Sequence, residues 1–412
     1  MTFTRPPFAL VALILGTLVS AFGDGIALLA MVLDAADKGP TWWVTEVYFA
    51  ELVPPLLLAP ALGAFVDRAN AKKVWVAAVL LQAALFAAAT LIPDFHVRVA
   101  LVALANVLAV TSSSASFKLL PTVAGTAGIE KANGGLTTAL SIAGLAGPAF
   151  CGAFHPIVGS SWLLGLNGTT FLVMALVVGL VIPGEIDKRV SVGGNPFGGA
   201  LDGLRAMWRS PIVGPLLPIF AGVVFATSIE GVAGVFYLRE VTSSDAVYGL
   251  LLSAWALGSI PGSLIGGWSR VSRHHLVMLL GGAFLVSAAL LVEGLVPIAA
   301  VIGLAFLIGG FGNGVHNVGV RNVIHHNISP EMHGRAWAYY RVLVNTCLAL
   351  GYMSGTPGVF VDARTAILVS ALLSMVVTLL AISWFWRRRS ETRVPPEARG
   401  GVQTVSRLKE PR

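Results

Sequence analysis

Long apolar stretches constrain the fold of this chain more than any other feature of its sequence. A helix needs about 20 mostly apolar residues to cross the hydrocarbon core of a bilayer, which is about 30 Å thick. Lipid offers the backbone no hydrogen-bond partner, so segments of this length are expected to be helical. Twelve such stretches occur, at approximately residues 8–33, 45–66, 74–92, 98–117, 134–156, 162–182, 212–238, 247–268, 275–296, 298–320, 337–361 and 364–386.

The balance of charged and apolar residues excludes an ordinary soluble domain. Of 412 residues, 56% are hydrophobic and 11% are charged, and the mean hydropathy is +0.82. Soluble domains carry about 25% charged residues. The stretches also lack the alternating pattern that is typical of membrane β-barrels. The sequence therefore predicts an all-α integral membrane protein, with 12 transmembrane helices in two six-helix bundles.

The lysines and arginines predict the orientation of the chain. If the N-terminus is cytoplasmic, 23 of the 27 basic residues fall in inner loops or the C-terminal tail. The outer loops then hold only Lys38, Arg98, Arg239 and Arg364. Such asymmetry predicts that both termini face the cytoplasm, in a protein of the cell (inner) membrane. The net charge of +7 is thus a topology signal with some attraction to lipid headgroups, and it does not indicate nucleic-acid binding.

The longest inner loop divides the chain into two similar parts. We expect an N-terminal six-helix bundle at 1–182, a cytoplasmic linker with an amphipathic helix at 183–211, a C-terminal six-helix bundle at 212–386 and a basic cytoplasmic tail at 387–412. Within the linker, Phe197, Leu201, Leu204 and Trp208 share one helical face. A ragged start to the seventh span is the alternative interpretation of this face.

The loop "GAFVDRANAKKVW" at 63–75 resembles the signature loop of the major facilitator superfamily. Asn70 and Ala71 depart from the usual glycine and arginine. The residues that fall in register are Gly63, Asp67, Arg68 and Lys72. The resemblance implies the twelve-helix transporter fold and a conformational latch at these positions, in which Asp67 holds the cytoplasmic ends of the two bundles together. An ordinary positively charged inner loop is the alternative.

A second segment resembles the glycine-proline motif found in the fifth helix of exporters of that superfamily. The motif residues are Gly144, Gly147, Pro148 and Gly152. Small residues let helices approach closely, so simple helix packing explains the glycines as well. The segments "GDG" in the first span, "KLLP", "KAN" and "SPEMHGRAWA" resemble the enterobactin-exporter and macrolide-efflux branch.

Three of the acids inside apolar spans are candidates for proton or substrate binding. Asp24 and Glu230 occupy similar depths in the first span of each bundle, and Glu51 lies in the second span. A charged side chain at mid-bilayer costs roughly 2.5–3.5 kcal/mol on insertion scales, unless a partner, a wet cavity or a proton relieves it. We expect Asp24 to line an aqueous cavity; the alternative is an acid that only orients neighbouring helices through a hydrogen bond.

The tenth span adds a polar stripe to these candidates. Asn313, Asn317 and Arg321 recur every four residues, and His316 lies beside Asn317. We expect Asn313, His316 and Asn317 to face the cavity, although a buried histidine satisfied by an amide or a carbonyl is an equal alternative for His316. The remaining histidines and the isolated Cys151 and Cys347 lack the neighbouring carboxylates or thiolates that a metal site requires. No metal and no cofactor are therefore expected.

These features favour a secondary active transporter over an enzyme. No lysine is followed by serine or threonine, so the chain has no Gly-Lys-[Ser/Thr] phosphate loop for ATP. We expect proton-coupled efflux of a small amphipathic molecule, neutral or cationic, by a monomer whose partners are that molecule, protons and membrane lipids. An uptake carrier, an uncoupled facilitator and an exporter of an anionic siderophore-like metabolite remain alternatives.

Overall fold

Helices account for all of the regular structure in the part of the chain that is described. The computed structural model describes residues 7–124, 129–182, 205–267, 274–329, 333–359 and 361–391. Ten helices have separate bounds and two more share one continuous segment. The ten are α1 (Pro7–Lys38), α2 (Trp42–Arg68), α3 (Ala71–Leu91), α4 (Phe95–Ala124), α7 (Val213–Thr242), α8 (Asp245–Gly267), α9 (His275–Leu295), α10 (Ala299–Asn327), α11 (His333–Ser354) and α12 (Ala363–Glu391).

The fifth and sixth helices meet at a single glycine. The segment Ile129–Val181 is helical except at Gly159, whose φ of 73° lies in the left-handed region that disfavours side chains. We name residues 129–158 α5 and residues 160–181 α6. This break supplies the turn that the sequence predicts between the fifth and sixth spans.

The twelve-helix prediction is confirmed. Within the described ranges, nine helical segments are long and apolar enough to cross a membrane, judged by length and composition alone, and the pair α5–α6 counts as one of them. Most of the predicted linker, including Phe197, Leu201 and Leu204, and most of the tail lie outside the described residues. The proposed amphipathic helix therefore stays a prediction.

The first six helices, the N-terminal half, contact the last six, the C-terminal half, mainly through two pairs. Helix α5 packs against α8, and α2 packs against α11. In the first pair, the Ser253 hydroxyl donates to the Leu145 carbonyl over 2.7 Å. In the second, the rings of Tyr48 and Tyr352 stack with centroids 4.7 Å apart. These two seams are where the halves can separate or close.

Contacts between the halves concentrate at the end of the bundle that carries the α1–α2 and α7–α8 turns. We name it the outer end, following the orientation that the charges predict, and the opposite end the inner end. At the outer end, Thr41 donates to the Pro357 carbonyl over 2.8 Å, and Thr45 bonds to Thr356. In the middle of α5, by contrast, a Cβ added at Gly144 would meet nothing within 4 Å.

An ionic network also joins the halves at the outer end. Arg239 of α7 contacts Asp37 of α1 over 2.6 Å and Asp245 of α8 over 2.8 Å. His155 of α5 approaches Asp245 over 3.1 Å. Donor atoms of Asp37, His155 and Asp245 lie within 4.8 Å of one another, as in a metal site. Because the Arg239 guanidinium lies against both carboxylates, the arrangement favours an ion-pair network.

A buried ion pair stabilises the outer end of the N-terminal half. Arg98 and Asp34 are 6% and 4% exposed, and their side chains are 3.2 Å apart. Arg98 also donates to the Ser161 hydroxyl over 3.0 Å, while Lys38 contacts Asp34 over 2.6 Å. Breaking a buried pair leaves an uncompensated charge, which is strongly destabilising. Arg98 is thus a structural residue that joins α4 to α1 and α6.

Two glycines of α5 pack in different ways. A Cβ at Gly147 would lie 3.2 Å from the Gly25 Cα of α1, inside the N-terminal half. A Cβ at Gly152 would collide with the Asp245 carbonyl oxygen of α8, across the seam between the halves. The first contact holds one half together, whereas the second exists only while the outer end is closed.

We therefore expect valine substitutions at these glycines to have different effects. Gly147→Val should lower the free energy of unfolding by about 1–3 kcal/mol, the usual range for overpacking. Gly152→Val should open the outer end instead, since α5 and α8 can separate, and each 1 kcal/mol changes the ratio of states about fivefold. The measurement is thermal unfolding, together with labelling of Thr356→Cys by a membrane-impermeant thiol reagent.

The background for labelling is Cys151→Ala with Cys347→Ala, because both native cysteines are buried. Gly144→Val is the matched control, with open space around the added side chain. Equal labelling of Thr356→Cys in the Gly152→Val and Gly144→Val proteins would contradict the assignment of Gly152 to the seam.

Candidate functional site

Asp24 of α1 lies in the interior of the N-terminal half and borders two cavities. Its carboxylate accepts a hydrogen bond of 3.3 Å from the side-chain amide of Asn167 on α6. Asn167 is fully buried, and its amide oxygen accepts a hydrogen bond from the Thr170 hydroxyl over 3.0 Å. That bond orients the amide so that its N–H group points to Asp24. Among the described residues, the Asn167 amide is thus the one hydrogen-bond donor to this carboxylate, which also borders both cavities.

A glycine next to Asp24 makes this contact geometrically possible. A Cβ at Gly23 would overlap the Asn167 amide oxygen and the Thr170 hydroxyl. Without a side chain at Gly23, α1 and α6 approach closely enough for Asn167 to reach the acid. The sequence "GDG" thus places the acid and the close helix contact in neighbouring positions.

The larger cavity, of about 330 Å³, is lined only by residues of the N-terminal half. Its apolar wall includes the rings of Trp75 and Phe171 and the side chain of Met174. Its polar wall, besides Asp24, is formed by Thr17, Ser20, Gln82, Ser112, Ser113 and Ser116. Such a cavity offers apolar and aromatic surface together with a few hydrogen-bonding groups, which is the usual composition of a small-molecule site.

Sequence reasoning missed the polar wall of this cavity. Gln82 is held by two bonds: its amide donates to the Ala105 carbonyl over 3.1 Å, and its oxygen accepts from the Ser112 hydroxyl over 3.2 Å. The hydroxyl of Ser113 donates to the Val110 carbonyl of its own helix. The run "TSSSAS" at 111–116, inside an otherwise apolar span, is the signal that could have found it.

The smaller cavity, of about 40 Å³, brings two of the predicted acids together. Asp24, Glu51, Asn106 and Asn167 supply its polar lining. Glu51 and Asp24 interact electrostatically, although they belong to α2 and α1. The structure therefore places Glu51 beside Asp24, in the same half of the protein.

Glu230 lies on the other side of the seam, on α7. Its side chain is partly exposed and folds back toward Gly234 on its own helix. Tyr48 and Tyr352, which stack across the seam, each interact electrostatically with both Glu51 and Glu230. The two tyrosine rings thus lie near both Glu51 and Glu230.

The polar residues of the α10 stripe lie on two different faces of the helix. Asn317 is exposed and donates to the Asn313 amide oxygen over 3.3 Å. His316 is only 2% exposed, and its Nδ1 lies 3.0 Å from the Leu279 carbonyl of α9. His316 therefore contacts a neighbouring helix, as the alternative interpretation expected, whereas Asn313 and Asn317 lie on the more open face.

Only some residues of the predicted latch belong to the part of the chain that the structure describes. Arg68 is exposed and Lys72 is half-buried at the inner ends of α2 and α3, while the side chains of Gly63 and Asp67 lie outside the described residues. Lys118 of α4 donates to the Val66 and Ala69 carbonyls over 3.2 and 3.4 Å. Its ammonium thus meets the carbonyl end of α2, where a positive charge is favourable.

One further acid was missed by sequence reasoning. Glu293 lies near the end of α9 and is 0% exposed. It is the sole charged residue of the ninth apolar stretch, 275–296, which is the same signal that identified Asp24. Its position close to the end of the stretch made it resemble a boundary residue.

Comparison with known proteins gives consistent results. The sequence profile described as Major Facilitator Superfamily matches residues 13–345 and 219–412. An uncharacterized MFS-type transporter of Bacillus subtilis, YvqJ, is 22% identical over 312 residues, which cover 73% of each chain.

Solved structures match the fold over nearly the whole chain. The nucleoside transporter NupG superimposes with a TM-score of 0.72 at 15% identity, covering 92% of this chain and 99% of its own. A bacterial homologue of the iron transporter ferroportin, in an inward-facing state, gives 0.69 at 16% identity, with coverages of 92% and 99%. At such identities the likeness concerns the fold alone.

We expect the larger cavity to be filled with water and open at the inner end. In the cysteine-free background, Ser113→Cys on the cavity wall should react readily with a charged thiol reagent added from the inner side. Ser287→Cys is the control, because Ser287 is 0% exposed and bonds to Ser374. Reactivity follows exposure of the thiolate, so an unreactive Ser113→Cys would show that the cavity is closed.

Proposed function

The chain belongs to the Major Facilitator Superfamily, and from this membership we propose that it exports a small amphipathic molecule, neutral or cationic, in exchange for protons. The observation that carries the proposal is Asp24, a carboxylate inside the bundle that borders a cavity with aromatic and hydroxyl walls. The proposed direction follows the orientation that the basic residues predict.

The cavity supports an amphipathic substrate. At about 330 Å³ it lies at the lower end of the 300–1,000 Å³ that is usual for small-molecule sites. Trp75 and Phe171 offer ring faces to an apolar or cationic group, while Gln82 and the serine hydroxyls offer hydrogen bonds. Among the described residues that line it, Asp24 alone carries a charge. An anionic molecule would therefore meet repulsion from Asp24 without a compensating cation in the lining.

Coupling to protons follows from the same carboxylate. Asp24 has one amide donor and no basic partner among the described residues, so its charge is stabilised weakly. A proton or a cationic substrate each neutralises it, and the two therefore compete for one site. Because exchange of the two needs access from both sides in turn, this competition couples opposite fluxes.

Alternating access accords with the distribution of contacts between the halves. The outer end is closed by the ionic network of Asp37, His155, Arg239 and Asp245 and by the stacked tyrosines. We propose that the alternate state breaks these contacts and closes the inner end, where Asp67 of the signature loop acts as a latch. Such rocking of two bundles around a central site is general for secondary transporters.

The alternatives rest on weaker observations. Arg321 and Arg341 are exposed near the inner end, and an anionic siderophore-like molecule would need to bind there. An uptake carrier or an uncoupled facilitator would use the same cavity, and only flux measurements separate them from an exporter. We further propose that the protein works as a monomer in the cell membrane, with both termini cytoplasmic and lipids at its apolar surface.

The experiment uses purified protein in liposomes with ethidium, a permanent cation whose distribution does not follow pH by itself. Ethidium should accumulate when the interior is acidic, because protons leave as it enters. Equal entry with and without the gradient would identify a facilitator, and accumulation only with an acidic exterior would identify co-transport with protons. Either result overturns the proposal.

Asp24→Asn should reduce gradient-driven ethidium accumulation at least about tenfold, since a charged interaction contributes about 1.5–3 kcal/mol. Glu240→Gln is the matched control, because Glu240 is an exposed acid at the outer end of α7. Accumulation by the Asp24→Asn protein at the wild-type rate would remove Asp24 from the mechanism.

A further inference from the structure

His155, at the outer end of α5, is a buried histidine that the proposed exchange at Asp24 does not use. It is 9% exposed, and both of its ring nitrogens have a polar partner. Nδ1 lies 3.1 Å from Oδ2 of Asp245, on the other side of the seam, and Nε2 lies 3.1 Å from the Ser160 hydroxyl of α6. The protonation of the ring therefore follows from what each partner can donate or accept.

The partner of Nδ1 is a carboxylate, which can only accept a hydrogen bond. The other oxygen of Asp245, Oδ1, accepts from Nε of Arg239 over 2.8 Å. A guanidinium is always charged and keeps a carboxyl group that it contacts ionised, so Asp245 has no proton to give. Nδ1 therefore carries a proton and donates it to Asp245.

The partner of Nε2 is a hydroxyl group whose own proton is engaged elsewhere. The Ser160 O–H donates to the Ala30 carbonyl of α1 over 3.2 Å. A hydroxyl has one proton and two acceptor lone pairs, so Ser160 accepts on the side of His155. Nε2 therefore carries a proton as well. A ring with two N–H groups is an imidazolium, with a charge of +1.

The charges that contact His155 agree with this assignment. Arg239 of α7 lies against Asp37 of α1 as well as Asp245, at 2.6 and 2.8 Å, so the network holds two carboxylates and one guanidinium. An imidazolium brings the sum of these charges to zero, whereas a neutral ring leaves a net charge of −1. Charges that are largely buried need compensation, so the closed network favours the protonated ring. We name these four side chains the outer gate.

The other groups around the outer gate are already paired or neutral. Arg98 of α4 is paired with the buried Asp34, and Lys38, which also contacts Asp34, is exposed. The thiol of Cys151 and the phenol of Tyr248, each about one helical turn from the contact between α5 and α8, are neutral near pH 7. Helix α3 also packs against α5 and α6, but its two lysines lie at the inner end.

We propose that His155 is a proton-binding site of the outer gate, filled from the outer side when the gate closes and emptied when it opens. As α5 and α8 separate, His155 loses Asp245, one ring N–H bond breaks, its proton passes to water on the outer side and the ring becomes neutral. Closure reverses these events. Histidine suits this role because its charge ordinarily changes between pH 5 and 8. The inference uses the proposed alternating access, but it does not require the exchange at Asp24.

The direction of the pH effect follows from the proton count. The closed gate binds one proton more than the open gate, so closure is favoured at low pH and loses this advantage as the pH rises. One linked proton changes the ratio of the two states by up to about tenfold per pH unit. An acidic exterior therefore favours closure of the outer end.

The distance between the halves at the outer end tests this linkage. Spin labels at Pro93→Cys and Pro297→Cys, in the cysteine-free background, place one probe on an exposed outer turn of each half. Pulsed electron paramagnetic resonance of the purified protein in lipid, without substrate, gives the populations of short and long distances between pH 5 and 8. The ratio of long to short distances should rise with pH by up to about tenfold per unit. His155→Gln should lose most of this rise, because glutamine keeps hydrogen-bonding groups but cannot take up a proton.

Two control variants should keep the rise of the wild type. His96→Gln is the matched control, because His96 also lies at the outer end and contacts an acid, Glu46, over 3.0 Å, but within the N-terminal half. Asp24→Asn removes the proposed exchange site and leaves the outer gate intact.

Two results would overturn the proposal. One is a ratio of distances that does not change with pH in the protein with a native gate. The other is an equal rise in that protein and in His155→Gln. If His155→Gln does not fold, Asp245→Asn decides in the same way, because a neutral amide does not stabilise an imidazolium and the rise should again be lost.

The ethidium assay separates this inference from the proposed function. A gate that depends on His155 and pH, without gradient-driven accumulation of ethidium, would reject proton-coupled export and leave the proton site of the gate standing. Gradient-driven accumulation by a protein whose gate does not respond to pH would reject the role of His155 and leave proton-coupled export standing.

Discussion

Burial inside a membrane-spanning bundle is the constraint on which the other features depend, because every polar group there must find a partner, a cavity or a proton. Asp34 meets this demand through the buried pair with Arg98, which links α1 to α4. Asp24 meets it through a hydrogen bond from the Asn167 amide and through the cavity that it borders. Glu293 is fully buried, and its carboxyl oxygens have no hydrogen-bond partner among the described residues. The surroundings of these three acids differ because the packing around each of them differs.

Close approach of helices positions these groups, and glycine is what permits the approach. Gly23 lets α6 bring Asn167 to Asp24, and Gly147 lets α5 pack against α1 at Gly25. Gly152 does the same across the seam, against α8. Helices in lipid gain little from hydrophobic association with one another, so shape and hydrogen bonds determine which pairs stay together.

The sequence was sufficient for the fold because segment length alone decides which stretches can span a bilayer, and the signature loop at 63–75 indicated the family. It also located Asp24, whose charge contrasts with its apolar neighbours. The polar wall around Gln82 was not predicted, because its side chains carry no charge and their orientation depends on tertiary packing. Glu293 was missed since an acid near the end of a stretch resembles an interfacial residue, and only the bundle shows that it is sealed. His316 could not be assigned from periodicity, because the face toward α9 and the face toward open space are adjacent.

The two leading acids of the halves align in sequence, yet their surroundings differ, and this asymmetry bears on how coupling would work. Asp24 has an amide donor and a cavity large enough for a substrate, whereas Glu230 has phenol rings and a second carboxyl group nearby. Competition between a proton and a substrate would then belong to Asp24 and the N-terminal half. Tyr48 and Tyr352 stack across the seam, so separation of the halves at the outer end would break their contact. Exchange of proton and substrate at Asp24 needs access from each side in turn, so the seam between the halves has to control it. The stacked tyrosines occupy that place.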